Sequence, residues 1–558
     1  MSSEVDPVLL MGASRRMSLG EQLARAARKA PSQVAFRYEG DEVTFAEEDE
    51  RVTRLARALS ERGVGYGDRV AVVMLNRIEV IESYLAACRL GAIAVPVNFR
   101  LVAEEMAYVL EDSGARIMLC DADMARVAAA ARARVAEPDG VPMGCVVVGD
   151  PGEWFWDAHG RRGEVEGYED VIAASSSEPL LVDVPESAAA FIMYTSGTTG
   201  RPKGAVLSHY NLMINTFNMM STMSMEPDDN VWLSGLPLFH IGCLDGFLPY
   251  LMVGGKSVIL PSGQFDPVSA VDSLEREGAT ACLFVPAQWQ AICSVPRVSE
   301  RSFELKRILT GGSIAPPSVI RAMAGAFPGV PIYNGFGQTE MSSVTCVLRG
   351  EDAMRKIDSV GKPVMNLEVR IVDEEMVDVP TGEVGEIVYR GPTVMQGYWG
   401  KPEETRAAFS GGWFHSGDLC RMDGEGYVSV VDRKKDMIIS GGENIYCAEV
   451  EAVIDSHAKV REVALIGVFH PQWGETPLAV VAPADPDDPP THEEIISHCK
   501  DHLASYKKPA YVVVVDELPR NASGKVLKTI LRERFGHPES LGLTESGHTE
   551  SGHTSEAR

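Results

Sequence analysis

The sequence predicts an α/β fold organised on parallel sheet and divided into more than one domain. Apolar runs of β character alternate with segments of helical periodicity along most of the chain, and that alternation buries strands between helices. The length, 558 residues, exceeds what a single hydrophobic core organises. Hydrophobic content of 45% and charged content of 23% are ordinary for a globular protein.

The elements follow in order. Helices are expected at 19–30 and 45–62, where Phe45, Val52, Leu55, Ala56 and Leu59 recur at helical spacing. Strands at Arg69–Met74 and Ala92–Val97 flank a helix around Val80–Arg89, and another αβ unit ends in the strand Arg116–Leu119. The Ala-rich stretch 122–135 reads as helix, and 151–187, with its packing cluster Trp154, Phe155 and Trp156, as an irregular excursion. Alternation then resumes: strand Lys256–Leu260, helix Val268–Glu277, strands Ala281–Val285 and Arg307–Leu309. From Glu368 to Tyr389 short strands bounded by turn residues suggest a small β subdomain. The densest charge knot, Asp432-Arg-Lys-Lys-Asp436, marks the expected domain boundary. Beyond it lies a compact αβ segment: helix Glu449–Ser456, strands Val460–Val468 and Leu478–Pro483, helix Glu493–Leu503. The expected division is 1–434, 435–536 and a tail 537–558, whose TESGH repeat has no large apolar residue and is expected to be disordered.

Net charge is −27, so no general field attracts polyanions, and nucleic acid is not an expected partner. The ten cysteines form no C-x-x-C pair, which suggests neither a zinc site nor a disulfide framework. No secretory leader and no uninterrupted apolar run of membrane-spanning length is read; the best stretch, Ile241 to Gly254, carries Asp245, Pro249 and several glycines. A cytoplasmic protein is expected. Peripheral membrane contact and homodimerisation stay open.

The most informative segment is Thr195-Ser-Gly-Thr-Thr-Gly-Arg-Pro-Lys-Gly204, after the apolar run Phe191–Tyr194. Gly197 and Gly200 let backbone N–H groups crowd around an anion, Ser196, Thr198 and Thr199 add hydroxyl donors, and Lys203 adds a point charge. The loop suits phosphate. It is not a Walker loop, because Pro202 stands where that pattern needs glycine.

Six motifs lie in one order: YTSGTTGRPKG (194–204), LPLFH (236–240), YNGFGQTE (333–340), GWFHSGD (412–418), DRKKDMIISGGENI (432–445) and PRNASGKVLK (519–528). The chain thereby resembles the adenylate-forming family of acyl- and aryl-CoA synthetases, luciferases and adenylation domains, over roughly residues 19 to 535, and within it bacterial fatty-acyl-CoA ligases most. The resemblance implies a large multi-layer N-terminal domain and a small, mobile α+β C-terminal lid on a hinge. It also implies ATP, CoA and a small-molecule carboxylic acid as substrates, with Mg²⁺ as cofactor. An acyl adenylate forms first; CoA thiol then displaces AMP.

Site residues follow by the same resemblance. The 195–204 loop, from Thr195 onward, would hold the departing β- and γ-phosphates, with Gly312 and Gly337 also in the ATP site. Glu340 would hold Mg²⁺ and Thr339 touch the α-phosphate, although a Thr-Glu pair alone reads as a helix start. Phe336 would stack near adenine, where relatives carry Tyr. Asp418 and Arg433 would contact the ribose. Lys525 would bridge the acid's carboxylate and the α-phosphate, and Lys435 would be the hinge. Ser440, Gly441 and Gly442 would line the CoA tunnel, gated by His240. The acyl pocket would include Gly242, Gly246, Gly311 and Gly335.

Gly242 and Gly246 are small where some aryl-CoA ligases carry larger groups, and small residues open depth. A medium- or long-chain fatty acid is therefore the first expectation; a cinnamate-type aryl acid or a sterol side-chain acid follows, and an acyl-AMP ligase loading a carrier protein comes last. A binder that merely keeps the fold is disfavoured by the presence of Lys203, Glu340, Asp418 and Lys525 together.

Overall fold

Strands alternating with helices do organise the chain. The computed structural model describes residues 15–135, 143–150, 152, 165–195, 201–225, 230–313, 315–440, 443–470, 473–500, 502–503, 505–520 and 525–537. Ser196, Gly197, Thr198, Thr199, Gly200, Gly441, Gly442, the cluster Trp154–Trp156 and the tail beyond 537 lie outside the described residues. The chain forms two units. One comprises Met1–Val369 with Tyr389–His415, the other Arg370–Val388 with Ser416–Arg558.

The first unit contains two large sheets. One has nine strands, ordered Lys362–Pro363, Ser343–Leu348, Ile332–Gln338, Arg307–Thr310, Ala281–Phe284, Val231–Ser234, Lys256–Ile259, Val34–Tyr38 and Asp41–Thr44. Its centre is parallel and its margins antiparallel. The other has eight, ordered Gly397–Tyr398, Lys203–Ser208, Ala189–Thr195, Ile93–Pro96, Arg69–Val73, Ile117–Asp121, Gly144–Val148 and Val165–Gly167. Parallel strands buried on both faces are near-continuous apolar runs, and here every residue of Ile93–Pro96 and Ile117–Asp121 is buried. Sequence signals also fix helix starts. Thr44 opens the helix Phe45–Glu61 with a reciprocal capping box: Glu47 N–H donates to Thr44 Oγ1 (3.3 Å), and Thr44 N–H to Glu47 Oε2 (2.9 Å).

In the second unit a four-stranded sheet, ordered Glu368–Val372, Gly385–Arg390, Phe414–Met422 and Val428–Arg433, has its main body. A five-stranded sheet joins Glu443–Ile445, Ile438–Ser440, Gly474–Pro483, Val460–His470 and Tyr511–Val514. The helix Cys447–Asp455 packs on it around Val450 and Ile454.

Two expectations change. The stretch 151–187 is not irregular throughout, since it contains the strand Val165–Gly167 and the helix Tyr168–Ala174. The segment after His240, left without an assignment in the sequence, is the helix Ile241–Val253, buried on nearly every face despite Pro249. A helix that is apolar all round shows no amphipathic period and sits in a protein interior. Among the described residues no helix is long and apolar enough to cross a membrane.

That helix corrects the reading of Gly246 as a position that opens depth. A Cβ on Gly246 would stand 2.6 Å from Trp232 Cε2, and Trp232 is 3% exposed with its ring centre 5.4 Å from that of Tyr250. The glycine makes room for an indole, and that ring has nowhere to move. Gly242 differs: its Cβ would meet the flexible end of Leu236 at 3.2 Å. We expect Gly246→Val to lower stability by about 1–3 kcal/mol in urea denaturation with an unchanged m-value, while Gly242→Ala stays within about 0.5 kcal/mol of wild type. Equal stability of Gly246→Val and wild type would contradict this packing.

Candidate active site

In the first unit, the phosphate-type loop springs from a paired base. Ala189–Thr195 and Lys203–Ser208 run antiparallel, with Thr195 opposite Lys203. Lys203 is therefore the first residue of a strand and not the end of a free loop, which fixes where its side chain starts. On the far side of Lys203–Ser208 lies the two-residue strand Gly397–Tyr398, pairing Gly397 with Val206 and Tyr398 with Ala205. The Lys203 ammonium stands 5.2 Å from the centre of the Tyr398 ring, within cation–π range. The Tyr398 hydroxyl donates to Glu340 Oε1 at 3.0 Å. Thus Thr195, Lys203 and Glu340 converge, and Tyr398, absent from the sequence-based site, joins them.

Glu340 sits in a single 3₁₀ turn, Thr339–Met341, that ends the strand Ile332–Gln338. The chain leaves through two consecutive non-glycine residues of positive φ, Ser342 (59°) and Ser343 (98°). Such conformations cost of order 1–3 kcal/mol each and persist only where neighbours impose them. The neighbours are explicit. Asn215 Nδ2 donates to Ser342 O (2.5 Å) and to the buried Asp245 Oδ1 (2.7 Å), Ser342 Oγ donates to Thr393 O (2.8 Å), and Met395 N–H donates to Glu340 O (2.8 Å). Burial pushes the Asp245 carboxyl up to about 7, against the hydrogen bonds from Ser343 and Asn215.

Gly311 and Gly337 serve close approach of backbone. A Cβ on Gly311 would lie 3.0 Å from Gly335 O, and Gly312 has φ +81°. Gly335 itself is open, with only Thr310 O nearby at 3.8 Å. Gly337 lies directly against the backbone of Ser343, beside Phe336 on the same strand. His240 caps the helix Ile241–Val253, its Nδ1 accepting from Gly242 N–H at 3.3 Å. An accepting Nδ1 leaves the neutral ring's proton on Nε2, and burial lowers the ring's pKa, which favours the neutral form. Asn76, also missed in the sequence, pins the preceding turn: it donates to Leu236 O (3.1 Å) and accepts from Leu238 N–H (2.8 Å).

The second unit holds another group. Asp418 and Arg433 face each other across an antiparallel pair and form a 2.6 Å ion pair in which Asp418 is 3% exposed. Lys435 is exposed in the turn that leads to Ile438–Ser440, and Ser440 pairs with Glu443. Lys525 remains accessible to water. Even so, the protein packed around its ammonium lowers its pKa to about 8; Arg433 and Lys435 add repulsion, and Asp418 and Asp436 pull the other way.

Among the described residues, no group of three or more His, Cys, Asp or Glu is placed to hold a metal ion. Mg²⁺ takes one or two carboxylates and completes its shell with phosphate and water. Glu340, with one oxygen on Tyr398 and a second to offer, fits that donor set.

The fold and these two groups describe a nucleotide-dependent enzyme of the adenylate-forming type. Residues 23–399 match the AMP-binding enzyme family, and 449–525 the AMP-binding enzyme C-terminal domain. A feruloyl-CoA synthase from Amycolatopsis sp. is 39% identical over 525 residues, 94% of this chain and 100% of the relative. The long-chain-fatty-acid–CoA ligase FadD13 of Mycobacterium tuberculosis is 35% identical over 521 residues, 93% of this chain and 98% of the relative. Among solved structures, the O-succinylbenzoate coenzyme A synthetase of Bacillus subtilis in complex with ATP and magnesium superposes with a TM-score of 0.79 at 30% identity, covering 92% of this chain and 99% of the other. The chain belongs to the AMP-binding enzyme family, on its acyl- and aryl-CoA ligase branch.

The Lys525 environment sets a pH dependence. A lysine with a lowered pKa is charged below that pKa and loses its charge as pH rises through it. If the ammonium is needed, kcat/KM for ATP–pyrophosphate exchange should fall along an alkaline limb between about 8 and 10, since contact with water draws the value back towards that of a free lysine. The kcat limb should lie higher, because bound ATP holds the proton. Lys525→Arg should remove the limb. Retention of the same limb in that variant would contradict the assignment.

Proposed function

We propose that this chain is an ATP-dependent acid:CoA ligase that works through an acyl adenylate, and that its acid is an aryl acid of the cinnamate type. The reaction is supported above all by the convergence of Lys203 and Glu340 on Tyr398, which gathers a cation and a hard-metal ligand at the base of an anion loop. For the acid, the glycine argument for a deep pocket fails at Gly246, and the 39% relative over the whole matched length is named a feruloyl-CoA synthase. The likeness to FadD13 keeps a fatty acid as the second reading.

In the first half-reaction a carboxylate oxygen attacks the α-phosphorus, and the bond to the β-phosphate bridging oxygen breaks. Both reactants are anions, so orientation and neutralisation carry the catalysis. Lys203 and the 195–200 loop hold the departing phosphates, Thr339 touches the α-phosphate, and Gly312 and Gly337 complete the ATP site. Glu340 holds Mg²⁺, which when bound neutralises phosphate charge. Phe336 lies along adenine, and Asp418 accepts from the ribose hydroxyls, its carboxylate aligned by Arg433. Lys525 supplies the cation that bridges the acid and the α-phosphate.

In the second half-reaction the CoA sulfur attacks the acyl carbon, AMP leaves, and the thiol proton is lost. With its proton on Nε2, His240 can donate a hydrogen bond but cannot take that proton there, so its role is to gate and orient. Ser440, Gly441 and Gly442 line the path of the pantetheine arm, reached by rotation about Lys435, which lies within the second unit. Gly242, Gly311 and Gly335 contribute to the acid pocket.

The test is CoA-dependent AMP release with ferulate, 4-coumarate, octanoate and palmitate. We expect kcat/KM for the better hydroxycinnamate to exceed that for either fatty acid by about tenfold or more, the scale of one well-matched pocket contact. The reverse order would overturn the aryl reading and leave the ligase intact. AMP release that ignores CoA would overturn the ligase.

A further inference from the structure

We propose that Tyr398 is a positioning residue that ties the metal-binding carboxylate to the phosphate-binding cation, its hydroxyl setting Glu340 and its ring setting Lys203. This rests on the roles given above to Glu340 and Lys203.

One side chain makes both contacts. The hydroxyl donates to Glu340 Oε1 at 3.0 Å, and the ring lies 5.2 Å from the Lys203 ammonium. The two functional groups come from strands of different sheets, Lys203 from Lys203–Ser208 and Glu340 from the end of Ile332–Gln338. Tyr398 bridges them. A monodentate metal ligand needs one carboxylate oxygen, and a hydrogen bond on the other fixes the rotation of the group. Partners of this kind typically govern metal affinity by about 10–100-fold. The ring does the corresponding work on Lys203, whose long stem otherwise samples many rotamers.

The backbone is built to hold this side chain in place. Gly397, with φ +142°, adopts a conformation that other residues avoid, and a Cβ there would lie 2.8 Å from Thr405 Cγ2. Tyr398 N–H donates to Thr405 Oγ1 (2.9 Å), whose own hydroxyl donates to Lys401 O (2.8 Å). Trp399 N–H donates to Gly204 O (2.8 Å) and Gln396 N–H to Val206 O (2.9 Å), so the residues on both sides are stitched to the strand that carries Lys203. The Glu340 backbone is tied to the same segment through Met395. Tyr398, Lys203 and Glu340 are thus held as a set.

Two variants separate the two contacts. Tyr398→Phe keeps the ring and deletes the hydroxyl. Tyr398→Leu deletes both. For Tyr398→Phe we expect the Mg²⁺ concentration that half-saturates adenylation to rise about tenfold, and Mn²⁺·ATP binding measured calorimetrically to weaken alike, with the KM for the acid and the melting temperature unchanged. For Tyr398→Leu we expect a further two- to tenfold loss in ATP affinity, on the order of one cation–π contact, that excess Mg²⁺ does not restore. In a Glu340→Gln background the Tyr398→Phe effect on metal should vanish. A Tyr398→Phe enzyme with wild-type metal dependence would overturn the proposal, as would an equal effect in the Glu340→Gln background. The calorimetric arm needs no turnover, so a wild-type protein that binds Mn²⁺·ATP but ligates no acid would refute the proposed function and still read Tyr398.

Discussion

The strand Lys203–Ser208 is the constraint on which the site depends. It is paired on one side with Ala189–Thr195 and on the other with Gly397–Tyr398. The first pairing sets the ends of the anion loop; the second delivers Tyr398, and through it Glu340. Backbone ladders have a fixed register, because a slip of one residue would turn every side chain to the opposite face. A few hydrogen bonds thereby fix the placement of three chemically distinct groups that are distant in sequence.

Electrostatic crowding is managed by a different means in each unit. The turn after Glu340 stores backbone strain at Ser342 and Ser343, and a buried polar cluster of Asn215, Asp245 and Thr393 holds it. Low dielectric strengthens each of these hydrogen bonds. In the second unit, the Asp418–Arg433 pair fixes a carboxylate that would otherwise pay little attention to orientation, while Lys525 sits among charges of both signs with its pKa lowered. A lysine whose charge is already strained gains most when an anionic ligand arrives.

Much of this was legible in the sequence, for definite reasons. Alternating apolar periodicity placed the strands Arg69–Val73 and Lys256–Ile259 and the helices Phe45–Glu61 and Ile78–Leu90 to within a few residues. Glu340 stood out because its motif lay in order with five others. Tyr398 did not, because a two-residue strand has no period, and its partners are set by pairing across the fold. The helix Ile241–Val253 was hidden by its uniform apolarity. Gly246 misled because absence of a side chain reads equally as an open pocket or as room for a neighbour, and only Trp232 distinguishes the two. The fatty-acid expectation leaned in part on that glycine and loses that support.

The central claim is that the chain forms an acyl adenylate and then a thioester, and that Lys525 serves only the first step. The most direct measurement compares Lys525→Ala with wild type in two assays: ATP–pyrophosphate exchange with the acid, and thioester formation from preformed acyl adenylate and CoA. The account predicts a loss of about a hundredfold or more in exchange, the scale of a charge aimed at the transition state, with thioester formation within about twofold of wild type. Equal losses in both assays would contradict it.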